Sequence, residues 1–424
     1  MRYLTIPALL LLSLAIASAQ DTKEKQQETG KKVWTPPLDD AEKSFLPHIE
    51  DIGRCVPPNM RRDKIVDLGN RARGQEAKVR KELLKYAFDT VSEHLRTEFD
   101  YTVREACPGA ISEIAAADAS GEIKKLAVTE LTKALKADKK NTVRAAAASY
   151  LAVLGAKEAR SALIDALKND RWSIVRAACI DAIAKLSLKE EIPALREALA
   201  NDAHSIVRKS AASALTDFKD KESTELFIKG LKDPFSSVRT ACCNALEIMP
   251  SKNALSALAD LTKDGKEGVR DAAVKALAKL KEPGAVKALE GVLRPDEFES
   301  VRRSAINSLE EIGTKEAIDV IASKGLTDPD FQTKLTAIEA VCKLNDERGI
   351  SALLAALKEQ YQFRRVSSIE LTVKHQIKDQ RVLKALQELS KNDSSEEVKK
   401  KAKEALDKLR DSNKTSSWVT KMPI

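Results

Sequence analysis

Two sets of residues in this chain have types suited to chemistry, and their spacing decides what each set can do. The first comprises four histidines, His48, His94, His204 and His375, and six cysteines. A metal site on helices needs ligands about one turn apart, so that two side chains leave the same face. No histidine here is followed by a glutamate or stands four residues from another histidine, and no Cys-x-x-Cys occurs. A Gly-x-Ser-x-Gly elbow and the glycine loops that cradle phosphate or a dinucleotide are also missing. These residues therefore give no catalytic residue, no metal site and no cofactor, and the chain reads as a non-enzyme. His204 falls in a turn, where a solvated imidazole is expected.

The second set is ionic, and it recurs. Asp138, Asp170, Asp202, Asp233, Asp264 and Asp296 each precede a Val-Arg pair by the same interval, giving Arg144, Arg176, Arg208, Arg239, Arg270 and Arg302. Weaker copies follow at Asp328 with Thr333-Lys334, at Phe363-Arg364 with Leu371 and no aspartate, and at Asp393 with Val398-Lys399. Asp233-Pro234 and Asp328-Pro329 resemble a helix cap followed by proline in the first turn, which puts each aspartate at the start of a helix. Six residues do not return to the same helix face, since partners on one helix lie three or four apart. Each arginine is therefore expected to reach the aspartate of a neighbouring copy, building a structural ladder of charge-assisted hydrogen bonds.

The elements that must hold this ladder follow from the apolar pattern. After each arginine, small residues such as Ala147, Cys179, Ala211 and Cys242 lead to Leu151, Ile183, Leu215 and Leu246 at helical period. Before each aspartate lies another such stripe, for example Leu195 and Leu199. Two helices of about three turns fill the repeat with only short turns left over. Stacked units of fixed period cannot bury their apolar faces alone. The fold class is all-α: an α-solenoid of about nine helical hairpins over residues 119–410, with an irregular helical N-terminal cap over 59–118. Within that cap, Val103-Arg104 imitates the motif, but Pro108-Gly109 is read as a break in the helix that should follow. Gly155, Gly313 and Gly349 are assigned to turns between repeats.

The aspartate, four residues, then Val-Arg, with alanine-rich and leucine positions after it, resembles the HEAT repeat in its short, phycobilin-lyase-like form. This resemblance implies a curved stack serving many functions, so it specifies fold far more than activity. It also implies a concave surface lined by one helix per repeat. Exposed positions there, Lys209, Asn244, Lys275, Arg303, Asn307 and Glu339, are the candidates for contacting a protein or peptide partner.

Outside the array, residues 1–19 read as a secretory signal peptide: Arg2, an apolar run from Leu9 to Ile16, and Ala17-Ser18-Ala19 as a cleavage site. Cleavage near Ala19 gives a secreted or periplasmic chain with no transmembrane segment in its mature form. Residues 20–58 form a polar leader, and 411–424 a polar tail. Cys55 and Cys107 share the irregular region of a chain read as exported, which makes them candidates for a disulfide on compartment alone. Cys179, Cys242, Cys243 and Cys342 sit at packed helical positions.

Charge excludes one class of partner. The chain carries 72 basic and 64 acidic residues, net +8, with runs that alternate in sign. A nucleic-acid binder calls for a basic stripe or groove. The reading is an exported scaffold for a protein or peptide. An envelope polysaccharide binder, or an enzyme with its site in the N-terminal region, is the alternative.

Overall fold

The computed structural model describes residues 58–74 and 81–416, together with 48, 49 and 52; for 82 and 411–416 it describes the backbone alone. The segment expected to be a signal peptide, nearly all of the expected leader, Cys55 and the residues beyond 416 lie outside the described residues. Twenty-one helices and no strand occur among the described residues. The chain divides into two compact units, residues 1–154 and 155–424.

In the first unit, α1 (Pro58–Gly74) packs against α3 (Tyr101–Ala117), and the hairpins are α2 (Lys81–Thr97) with α3, then α4 (Glu122–Ala137) with α5 (Asn141–Val153). The expected break at Pro108-Gly109 does not occur, because α3 runs through both residues. Proline forfeits one backbone bond there. Gly109 fits because α5 comes so close: a Cβ at Gly109 would stand 2.9 Å from the Tyr150 hydroxyl. Asp100 caps the helix by accepting the Thr102 N–H at 2.8 Å.

The second unit stacks eight hairpins. Their first helices are α6 (Arg160–Asn169), α8 (Ile192–Asn201), α10 (Thr224–Gly230), α12 (Leu255–Leu261), α14 (Pro283–Glu290), α16 (Lys315–Val320), α18 (Glu347–Ala356) and α20 (Gln380–Asn392). The corresponding second helices are α7 (Ser173–Lys185), α9 (Ser205–Asp217), α11 (Ser236–Ile248), α13 (Glu267–Leu280), α15 (Glu299–Ile312), α17 (Phe331–Lys343), α19 (Gln362–Lys374) and α21 (Glu396–Ser416). The last of these extends into the segment expected to be tail.

The motif valines Val175, Val207, Val238, Val269 and Val301 are all buried. Second helices pack closely on one another through small residues such as Ala211, Cys242 and Ala276, while first helices are spaced more widely. A stack that is shorter on one side curves toward it, so the second helices form the concave layer. Between most repeats the chain reverses through one left-handed residue, Gly155, Ser187, Lys219, Lys281, Gly313, Asn345 or Gln376; the joint after α11 turns at Met249 with φ −124° instead. Gly349 is not among them. It lies inside α18, where a Cβ would stand 2.7 Å from the Cys342 backbone nitrogen, so close packing fixes this glycine.

Candidate interaction surface

The repeated aspartate ends the first helix and does not cap the second. The backbone N–H groups of Asp138, Asp170 and Asp202 bond to the last turn of the preceding helix. Their carboxylates accept the N–H two residues on, as do those of Asp233 and Asp264. The donors are Lys140, Trp172, His204, Phe235 and Lys266, at 2.8–2.9 Å. This Asx turn spaces the two helices, and the second begins one residue later. Pro234 and Pro329 therefore occupy the turn, where no N–H is required.

The same carboxylates receive the arginines of the preceding repeat. Arg176 Nε and Nη2 donate to both oxygens of Asp202 at 2.7 and 2.8 Å, while Nη1 donates to its own repeat's Asp170 carbonyl at 2.8 Å. Arg208 joins Asp233 and the Asp202 carbonyl in the same way, and Arg239 joins Asp264 and the Asp233 carbonyl. Arg302 reaches Asp328. In the first unit Arg104 holds Asp138 at 2.8 and 3.1 Å and the Glu98 carbonyl at 2.9 Å, so α2–α3 obeys the repeat geometry despite its longer helix. Arg144 Nη1 donates to the Asp138 carbonyl. The guanidinium groups of Arg104, Arg176, Arg208 and Arg239 thus bind a carboxylate in two-pronged fashion and close their own turns, a geometry that lysine cannot reproduce. Partial burial pushes the carboxyls of Asp202, Asp233 and Asp264 up, but the arginine and turn hydrogen bonds outweigh it and hold all three below their ordinary value.

Two registers differ from the sequence pattern. Arg270 binds Glu297, while Asp296 is exposed and, among the described residues, pairs with Arg294 alone, at 3.3 Å. In the eighth copy Arg365, not Arg364, holds Asp393 at 2.7 and 2.8 Å and the Glu359 carbonyl. Arg364 instead lies over the rings of Phe331, Tyr361 and Phe363.

The thiols belong to the core. Cys107, a candidate for a disulfide with Cys55, is a free, buried thiol that donates to the Val103 carbonyl at 3.3 Å. Burial pushes the thiols of Cys107, Cys179 and Cys242 strongly up, that of Cys243 to about 12 and that of Cys342 to about 11. The histidines are dispersed: His94 bonds the Thr90 carbonyl, His204 lies beside Arg176, and His375 faces Glu339. Among the described residues no group of three His, Cys, Asp or Glu could hold a metal.

The six candidate contact positions fall into two environments on the second-helix layer. Lys275 pairs with Asp271, Arg303 with Asp330, and Glu339 with Lys343, Lys374 and His375. Ion pairs between repeats, such as Lys279 with Glu311 and Lys401 with Glu370, bind this C-terminal half of the layer together. Asn307 is exposed within it. Lys209 and Asn244 differ. Among the described residues they make no side-chain hydrogen bond or salt bridge, and they line a depression of about 210 Å³ between α9 and α11 with Ser213, Thr216, Asp217 and Thr240.

The array of parallel hairpins, with recurrent Arg–carboxylate bridges between repeats and Lys334–Glu359 in place of one of them, defines an α-solenoid repeat protein. Four overlapping matches to the HEAT repeats, at residues 128–216, 192–278, 224–297 and 286–372, cover more than half of the chain. The chain belongs to the HEAT-repeat family. Similar solved structures include Kap95p with RanGDP (13% identity, 94% of this chain and 64% of that one, TM-score 0.55). Kap121p matches at 12% identity over 97% of this chain and 54% of that one, with a TM-score of 0.54. The CpcE–CpcF complex of phycocyanin lyase from Nostoc sp. matches at 24% identity over 53% of this chain and 92% of that one, with a TM-score of 0.34. No curated protein matches the sequence. No helix among the described residues is long and apolar enough to cross a membrane.

Proposed function

We propose that the chain is an exported, non-enzymatic scaffold that binds a protein or peptide in the depression between α9 and α11. The observation that carries this reading is the contrast along one layer. From α13 to α21, charges on the second helices form ion pairs across repeats, whereas Lys209, which feels the charge of Asp181 on α7 through space, and Asn244 make no side-chain hydrogen bond or salt bridge among the described residues and lie on a recessed surface. Donors left solvated on a rigid concavity can exchange water for a partner without first breaking an internal pair. The solenoid fold supports the reading, since stacked repeats offer long continuous surfaces. Export rests on the leader sequence, and the absence of an activity rests on the lack of catalytic motifs.

Affinity capture with the full chain from its host's envelope fraction tests this, comparing wild type with the Lys209→Glu/Asn244→Lys variant. Loss of the specifically captured species in the folded variant is the expected result. An unchanged set of captured species overturns the reading.

A further inference from the structure

The second helices of adjacent repeats lie side by side, so their N-terminal ends form an edge. The residue at that end has the same extended backbone in each repeat: Trp172, His204, Phe235 and Lys266. The turn that holds His204 suggests a solvated polar position, yet its counterparts include large rings. Trp172 is 45% and Phe235 52% exposed, with Ile174 and Ile206 open to solvent beside them. A guanidinium lies near each ring, over Trp172 and Phe235 and at the ring nitrogen of His204. The Arg208 guanidinium lies 5.7 Å from the Phe235 ring and that of Arg171 5.6 Å from Trp172, while Arg176 Nη2 is 3.3 Å from His204 Nδ1.

The charge on this edge has one sign. Ladder carboxylates Asp202, Asp233 and Asp264 are consumed by Arg176, Arg208 and Arg239. Exposed Arg171, Lys232, Lys263 and Lys266 make no salt bridge among the described residues. The first turns of α7, α9 and α11 contain no acidic residue, so three parallel helix dipoles add to the positive field. At α13 and α15 this ends, where Glu267 and Glu299 occupy the first turn.

We propose that this edge, from Arg171 to Lys266, is a docking site for an extended acidic polypeptide carrying an apolar side chain at every third residue. The spacing selects the occupant. Packed helices lie about 8–10 Å apart, and three residues of polyproline II chain advance about 9 Å, so one chain can place an apolar side chain against each successive repeat. Acidic residues between them meet the lysines and arginines. A single-stranded nucleic acid needs a continuous basic groove along its backbone, and the acidic first turns at α13 and α15 interrupt such a groove. This edge is separate from the depression proposed above.

The test uses the full chain and fluorescein-labelled peptides of about twelve residues built from Leu-Pro-Glu units, read by fluorescence anisotropy. Compared with it are a Leu-Pro-Lys peptide, a Leu-Pro-Glu peptide with its leucines out of phase, oligothymidylate and alginate. The phased acidic peptide binds, and added salt weakens it. Arg171→Glu/Lys232→Glu, at exposed cations that leave the rings in place, and Trp172→Ala/Phe235→Ala each reduce its affinity at least about tenfold. The Lys209→Glu/Asn244→Lys variant binds it as wild type does, which separates the two surfaces. Should Phe235→Ala unfold the chain by uncovering Arg208, the charge variant decides alone. The proposal is overturned if the phased acidic peptide does not bind or the edge variants bind it unchanged. Equal binding of the basic peptide, the unphased peptide, oligothymidylate or alginate also overturns it.

Discussion

Glu297, and not its neighbour Asp296, takes the Arg270 guanidinium: Nη2 lies 2.6 Å from one carboxylate oxygen and Nε 2.9 Å from the other. Glu297 also accepts the Phe298 N–H at 2.9 Å and is almost wholly buried, while the Asp296 side chain is 77% exposed. The longer glutamate side chain fills the site from a position one residue closer to the helix, and Arg302 Nη1 accordingly bonds the Glu297 carbonyl. Removing one member of a buried ion pair strands the other charge, at a cost of about 3–5 kcal/mol. Glu297→Ala is therefore expected to destabilise by about that amount, and Asp296→Ala by less than about 1 kcal/mol. Urea denaturation of both variants measures the difference, and equal midpoints would refute the assignment.

The eighth repeat makes a parallel prediction. Arg365 is buried and bridges Asp393 to the Glu359 carbonyl, whereas the more exposed Arg364 stacks on Phe331, Tyr361 and Phe363 and makes a single-pronged pair with the Glu359 carboxylate at 3.2 Å. Arg365→Ala should cost about 3 kcal/mol or more, and Arg364→Ala about 1 kcal/mol. Thermal unfolding ranks them, and the reverse order would put Arg364 in the ladder.

Much of this architecture is legible in the sequence because the repeat is its own control. A step of 31 or 32 residues locates each arginine, and the same step from Lys334 leads to Arg365. Taking Arg364 there follows the apolar Phe363 before it, when in fact Arg364 occupies the place of the motif valine. Asp233-Pro234 fits a helix cap and an Asx turn equally well on paper; only the observed helix start at Ser236 separates them. Pro108-Gly109 reads as a break because local propensity ignores the close approach of Tyr150 that suits Gly109 to α3. On the candidate surface, helical spacing places Lys209 and Asn244 on one face. The partners of Glu339 and Lys275 lie at different distances along the chain. Lys374 is a full repeat from Glu339, where a single-helix pattern has no reach, while Asp271 is four residues from Lys275. The aromatic edge left a trace, since Trp172 and Phe235 stand two residues after their aspartates, but large rings in a turn carry no periodicity.

Acid should release the ladder. The carboxyls of Asp202, Asp233, Asp264 and Asp393 are held below the ordinary value of 3.8 in the folded chain, despite the upward push of partial burial. With a depressed folded value, the unfolded chain binds more protons as the pH falls. The stabilisation is thus complete above about pH 4 and declines as pH drops through the folded-state values. Circular dichroism melts between neutral pH and pH 2 should show stability falling mainly below about pH 4. The slope should be shallower in Arg208→Met/Asp233→Leu, which lacks one rung. A variant slope equal to wild type would mean the rungs do not drive acid unfolding.

Two glycines should respond oppositely to relief. Gly155 has φ +67° and a Cβ there would meet nothing within 4 Å, so its demand is conformational only. Asn345 and Ser187 meet the same demand in other repeats. Gly155→Ala is expected to cost about 1–2 kcal/mol and Gly155→Asn distinctly less, because asparagine tolerates the left-handed region. Gly349 demands space: its Cβ would meet Cys342 N at 2.7 Å, Cys342 Sγ at 2.9 Å and Val341 C at 3.0 Å. Two of these obstacles are backbone, so shrinking the neighbouring side chain cannot clear them. Gly349→Ala should cost about 1–3 kcal/mol, and Cys342→Ala in the same chain should restore little of it. Full recovery in that double variant, measured by denaturant midpoint, would show that the sulfur alone sets the separation of α17 and α18.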